Sequence, residues 1–284
     1  MDRKVDLGQA FGTKKAKKVL QNNVLNAISP RKKTNDPPTV IDSAGRAILD
    51  SVGAVTADMA TREELEAVMD SAKPVPRAAT DATEIEDVYD PAVLIGADIL
   101  KLVPIREWQE NVRRNESIKV PSRFVAGRVN TLAANEAAED RLRVLSYMLY
   151  VILFYLHSKP GHERGSRKIP PRDKLKELLQ PAPEAVIENI RRKFSDGGIM
   201  RKFHSELLMT HCCAFACIVD NFDVDTQNLR DDLRVDQKSI NQYFHEIGAR
   251  VKAISDKAEG RKIHIARLSL PLDFPKHKYI VQRR

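Results

Sequence analysis

Five residues inside one fourteen-residue stretch, His204, His211, Cys212, Cys213 and Cys217, are the densest set of metal ligands and nucleophiles in the chain. Imidazoles and thiolates suit zinc, but a zinc site needs four donors converging in a tetrahedron. On one helix Cys213 and Cys217 fall on the same face, and no second Cys or His pair elsewhere completes the set. Small thiols buried in a packed helix are the better reading, so no metal or cofactor is implied. The cysteines also fit a reduced, intracellular pattern, since a secreted chain would spread an even number over its loops. Asp220, Asp223 and Asp225 lack the glycine and terminal glutamate of a calcium loop. The sequence has no glycine-rich phosphate loop ending in Lys-Ser/Thr, no Gly-x-Ser-x-Gly elbow and no His-Glu-x-x-His, so enzyme chemistry gets little from it.

Positive charge is the chemistry on offer. The 284 residues include 47 Lys or Arg against 39 Asp or Glu, a formal net of +8, unevenly spread. Residues 1–33 hold nine bases and two acids, residues 34–110 six and sixteen, and residues 111–284 hold 32 and 21. That order fits a protein touching polyanions at both ends and something else in the middle. The expected phosphate contacts are Arg191, Arg192 and Lys193 with Arg201 and Lys202 after them, Lys168 and Arg172 in a glycine-containing loop at 159–174, and Lys252, Arg261 and Lys262. Each neutralised phosphate adds affinity that salt removes. Blander readings stand beside this one: arginines in a helix's last turn complement its dipole, and a basic loop is often only a solvated one. No regular aromatic interleaving appears, so stacking on single strands is not supported.

Lys14, Lys15, Lys17 and Lys18, then twelve residues, then Arg31, Lys32 and Lys33 have the form of a two-part nuclear import signal, with a solvated tail as the alternative. The first 35 residues hold no apolar run of signal length, so no secretory leader is expected. The most lipid-like segment, residues 144–156, is 13 long, against roughly 20 needed to cross a bilayer. It reads as a buried core helix, with no membrane contact.

The elements that must position these bases show a repeat. At an offset of 54, Leu175 and Leu179 fall on Leu229 and Leu233, and Val186 and Ile190 on Ile240 and Phe244. Each copy opens with a long apolar helix, 143–158 and 204–221, then a short helix, a turn and a second amphipathic helix at 183–194 and 237–252. Helix, short helix, second helix and hairpin is the winged variant of the helix-turn-helix, whose second helix can enter the major groove. Ser195-Asp196-Gly197-Gly198 supplies the turn of a first, two-stranded wing, and Lys262 to Leu270 alternates as a strand of the second should.

Before the copies, a modest helix is expected at 39–55 and another at 62–70, the latter behind a Thr61/Glu64 capping box. Thr83 with Glu86 forms a second candidate box, for a helix at 84–89, and Asp90-Pro91 opens one at 91–101. Helices at 104–113, around Trp108, and at 122–134 complete a helical layer on the first copy. The fold class is therefore mostly α with small β hairpins (α+β). The expected order is a basic arm (1–33), an acidic helical linker (34–82), a first winged-helix domain with its helical layer (83–200) and a second winged-helix domain (201–284).

Several blocks carry a resemblance. Leu7-Gly8-Gln9-Ala10-Phe11-Gly12-Thr13-Lys14-Lys15-Ala16-Lys17-Lys18 resembles a segment of the forty-nine-kilodalton subunit family of RNA polymerase I, in the linker before its tandem winged helices. Asp81-Ala82-Thr83-Glu84 with Tyr89, residues 183–194, Asp220-Asn221-Phe222 and Leu270-Pro271-Leu272-Asp273-Phe274-Pro275 agree in order, the last block looking like the family's final strand. The resemblance implies a non-catalytic polymerase subunit of the nucleus and nucleolus. Its linker would cross the cleft, and its winged helices, similar to those of the initiation factor TFIIE, would bind double-stranded DNA and support initiation and elongation of ribosomal RNA synthesis. The chain departs from the family in two respects: the N-terminal barrel has no counterpart here, so its heterodimer is not carried over, and the first wing is short. The competing reading is an interaction module docking on polymerase subunits without touching DNA.

Overall fold

The computed structural model describes residues 72–255 and 262–275. All of the described residues belong to one compact unit, Met69–Arg284. The import cluster Lys14, Lys15, Lys17, Lys18, Arg31, Lys32 and Lys33, the helices expected at 39–55 and 62–70, and Arg261 lie outside the described residues.

The unit is mostly helical with two small antiparallel sheets. Its first helices are α1 (Ala97–Leu102), α2 (Arg106–Arg113) and α3 (Arg123–Ala133), followed by the long α4 (Glu139–His157). Next come β1 (Lys159–Pro160), β2 (Arg167–Lys168), α5 (Arg172–Leu178), α6 (Glu184–Phe194) and β3 (Ile199–Met200). The second half runs α7 (Lys202–Val219), β4 (Asp223–Asp225), α8 (Thr226–Leu233), α9 (Gln237–Glu246), β5 (Arg250–Ser255) and β6 (Lys262–Arg267). Both long helices are apolar almost all round, the signature of a helix surrounded by others. They pack side by side at the centre of one continuous core. All eight residues of the offset-54 repeat, Leu175, Leu179, Val186, Ile190, Leu229, Leu233, Ile240 and Phe244, are fully buried. Among the described residues no helix is long and apolar enough to cross a membrane.

The two sheets differ. The second has the order β4-β6-β5, so a strand before the paired helices joins a full hairpin after them. The first has the order β1-β2-β3. Its turn is the one expected, with Gly197 (φ 57) and Gly198 (φ 81) both in the left-handed region that a two-residue hairpin demands. The expected two-stranded wing, however, shrinks to one bridge between Asp196 and Ile199. Met200 then pairs with Arg167 and Ile199 with Lys168. The basic stretch expected as a flexible loop is thus mostly ordered, as the hairpin β1/β2 and then α5.

Several boundaries move for physical reasons. The helix expected at 84–89 is a single 3-10 turn at Ile85–Asp87 without a side-chain cap. Val88 and Tyr89 are drawn into the core there, and the Tyr89 hydroxyl donates to Ile247 O at 2.9 Å. Asp90 does cap the next helix, accepting from Ala92 N at 2.8 Å, but that helix begins as a π-helical turn, Ala92–Gly96. The second amphipathic helix stops at Glu246 rather than reaching Lys252. Gly248 at φ 83 ends it, and Gly248 N and Ala249 N donate back to His245 O and Phe244 O. Arg250 and Lys252 therefore become wing residues. The closing residues 270–275 form no strand, and Asp273 N instead donates to Gly248 O at 3.3 Å.

The helical layer reaches the second copy as well as the first. Ser122 caps α3, and its Oγ donates to Asp232 of α8 at 2.6 Å, while Arg123 N and Phe124 N donate to the same carboxylate, each at 2.9 Å. A buried carboxylate on a helix N-terminus satisfies the free N–H groups and meets the positive end of the dipole. Six residues on, Arg128 holds Asp220 with both Nε and Nη2 at 2.5 Å, its guanidinium carbon 3.6 Å from the centre of the Phe124 ring.

Candidate nucleic-acid interface

In the first copy the expected phosphate contacts cluster around α6, whose buried stripe is Val186, Ile187, Ile190 and Phe194. Lys193 is not a surface cation. Its ammonium donates to Leu94 O in the π-helical turn, while Asn189, one turn earlier, donates to Ile95 O at 3.3 Å. Burial lowers the Lys193 pKa to about 8. Lys193 thus belongs to the packing of α6 on the helical layer, a correction to its expected place at the interface.

Most other cations here already have carboxylate partners. Glu188 lies 3.2 Å from Arg172 and 3.5 Å from Arg191. Arg201 pairs with Asp196 at 3.8 Å, and Lys202 with Glu206 at 3.6 Å. Glu184 sits 2.7 Å from Lys176, whose hydrogen bond and charge lower its pKa. Arg192 and Lys168 are exposed, with no acid within ion-pair distance among the described residues. Lys168 lies directly opposite Lys159 on β1 and Ile199 on β3. Arg167 turns inward instead, with Nε 2.6 Å from Ser158 Oγ and its guanidinium carbon 4.4 Å from the Tyr155 ring centre.

In the second copy, Lys252 and Lys262 are exposed on the wing and carry no ion pair among the described residues. The other two bases on its described strands are engaged, Arg250 with Asp273 at 3.3 Å and Arg267 with Asp223. The side-chain amides of α9 face inward. Gln237 Nε2 donates to Thr226 Oγ1 at 3.0 Å and Asn241 Oδ1 at 2.7 Å, Arg230 donates to Gln237 Oε1 at 3.0 Å, and Asn241 Nδ2 meets His264 Nδ1 at 3.3 Å. What α9 shows to solvent is Lys238, Gln242 and His245.

The histidine and thiol cluster is an interior. Cys212, Cys213 and Cys217 are fully buried, and burial raises all three thiol pKa values, opposing the reactive thiolate. His211 packs edge-on against Phe194 at 5.3 Å between ring centres, its Nδ1 2.7 Å from Leu207 O. That contact needs the proton on Nδ1. Burial foremost, then the Lys193 charge, lowers its pKa to about 3. Among the described residues no group of three or more His, Cys, Asp or Glu could hold a metal ion.

Residue spacing left the inter-copy anchors unnoticed, although one signal was present: Asp232 lies between Leu229 and Leu233 on the buried arc of α8. A carboxylate there requires partners. A cleft of about 370 Å³ opens between α3 and the end of α7. Its two arginines are committed, Arg128 to Asp220 and Arg141 to Asn221.

Fold and surface together define the class: a mostly helical chain with two small three-stranded sheets, whose distinguishing surface chemistry is lysine and arginine. The chain belongs to the A49-like RNA polymerase I associated factors, whose family profile matches residues 1–275. It is similar to the DNA-directed RNA polymerase I subunit rpa49 of Schizosaccharomyces pombe, 25% identical over 294 aligned positions that cover 97% of this chain and 66% of that subunit. Similarity to the Saccharomyces cerevisiae subunit RPA49 is 24% over 295 positions, 95% of this chain and 67% of the relative. The chain thus spans about two thirds of the length of these relatives.

Proposed function

We propose that this chain is a non-catalytic subunit of RNA polymerase I that holds the enzyme on ribosomal DNA during initiation and elongation. Its two copies of helix, strand, helix and helix act as tandem winged helices, the first within 83–200 and the second within 201–284, and through this tandem unit the chain contacts duplex DNA without reading its sequence. The clusters around Lys14 and Lys32 direct it to the nucleus and nucleolus, and residues 34–82 cross the polymerase cleft. The observation that carries the DNA reading is the second copy: a strand, two helices and a hairpin in the order β4-β6-β5, with Lys252 and Lys262 exposed on the hairpin and without an ion pair among the described residues. Family membership supports the polymerase assignment.

Titration of the purified chain into a labelled duplex of arbitrary sequence at several salt concentrations tests it. With about five phosphate contacts, log affinity falls with log salt at a slope near −4 to −5. A slope near zero sinks the DNA reading. The ion pairs covering α6 favour a second reading, in which the copies dock on other polymerase subunits. Capture of those subunits by a chain that binds no DNA would support it.

A further inference from the structure

We infer that duplex contact belongs to the second copy, made by the exposed stripe of α9 and the outer face of its wing, and that α6 of the first copy is an internal strut. The inference rests on the DNA reading above and allocates it between two helices that share one hydrophobic pattern.

Three sides of α6 are accounted for. One is the buried stripe. A second is bonded by Asn189 and Lys193 to consecutive carbonyls of the turn Ala92–Gly96, which lies along the helix. The third, facing solvent, presents Glu184 and Glu188. A phosphate backbone approaching that side meets two carboxylates of its own sign. To gain Arg172 or Arg191 it must displace Glu188 from both. Arg192 alone on this helix is a cation without such a competitor among the described residues.

The corresponding side of α9 carries its one acid, Glu246, only at the helix's last position, four residues after Gln242, whereas α6 sets Glu184 and Glu188 among its cations. Lys238, Gln242 and His245 follow at intervals of four and three, the spacing that lines residues up on one helix face. Their neighbours Gln237 and Asn241 are fixed by hydrogen bonds to Arg230, Thr226 and His264, which tie α9 to α8 and β6. The strands of the wing read Arg-Val-Lys-Ala-Ile-Ser and Lys-Ile-His-Ile-Ala-Arg, without an acid. Their register places Lys252 opposite Ile265 and Ile254 opposite Ile263, so these four residues share the face turned away from Val224, Val251 and Ala266. Ile254 is 51% exposed. Three isoleucines beside Lys252 match the surface of a duplex groove, with the lysine reaching a phosphate and the isoleucines lying on sugar faces; Lys262, opposite Ser255, projects from the other face of the hairpin. An acidic protein surface would satisfy the lysines equally, and the choice of probe below separates the two.

The test uses the full chain, the arbitrary-sequence duplex and two double variants of exposed residues. Lys238→Ala with Lys252→Ala is expected to reduce the salt slope by about 2, with an unchanged thermal midpoint. Arg172→Ala with Arg192→Ala is expected to leave the slope unchanged. The reverse pattern, or equal loss from both pairs, overturns the allocation while leaving DNA binding in place. If the unaltered chain shows no salt-dependent binding, the DNA reading fails and the allocation fails with it.

Discussion

The carboxylate of Asp232 in α8 accepts a 2.6 Å hydrogen bond from Ser122, a residue 110 positions earlier that caps α3. The same carboxylate takes the backbone N–H groups of Arg123 and Phe124. One buried charge thereby fastens the helical layer to the second copy.

Replacing Asp232 with Ala leaves the Ser122 hydroxyl and two helix N–H groups without an acceptor in a buried place. The expected cost is about 3 kcal/mol of folding stability, with Asp232→Asn intermediate because it keeps one acceptor oxygen. Urea unfolding measures both, and an Asp232→Ala midpoint equal to that of the unaltered chain would refute the anchor.

Arg128 and Asp220 are both mostly buried, with side chains 17% and 14% exposed. Removing either strands the other, so Arg128→Met and Asp220→Ala should each destabilise by about 3 kcal/mol. A double-mutant cycle should return a coupling of about 2 kcal/mol. Additive single costs would mean that the contact contributes only packing.

His211 titrates in the unfolded chain near the usual 6.5, while in the fold its pKa is about 3. Because the folded value is the lower one, the stability is fully present above 6.5 and is lost as pH falls toward 3. Between pH 6.5 and 5.5 the loss should be about 1 kcal/mol. Thermal melts of His211→Gln against the unaltered chain isolate it, since carboxylate titrations are common to both. Parallel pH profiles would show that the imidazole is solvated.

Lys193→Met should leave the salt slope of duplex binding unchanged, because the ammonium is bonded to Leu94 O and half-buried. Lys252→Met should lower the slope by about 1. A fall with Lys193→Met comparable to that with Lys252→Met would place Lys193 at the interface after all.

Much of the framework was legible in residue order. The offset of 54 between Leu175 and Leu229, and between Ile190 and Phe244, marked paired helices whose apolar stripes are buried in both copies. Gly197-Gly198 announced a tight turn, and Cys212, Cys213 and Cys217 lie inside a packed helix. Each of these depends on a local quantity, either the period of side chains along a helix or the φ range open to glycine, which the residues themselves set.

The state of each cation was not legible. Lys193 follows Arg191 and Arg192 in sequence and looks the same in charge, yet it alone ends on a carbonyl 99 positions away. Glu188 stands three and four residues before Arg191 and Arg192 in sequence, yet the two arginines it holds are Arg191 and the distant Arg172. Ile199 and Met200 read as half of a wing and instead pair with β2. Periodicity reports which side of a helix is buried, because burial repeats with the helix itself. Whether an exposed charge is free depends on which distant carboxylate or carbonyl packing brings within about 4 Å, and only the tertiary structure decides that.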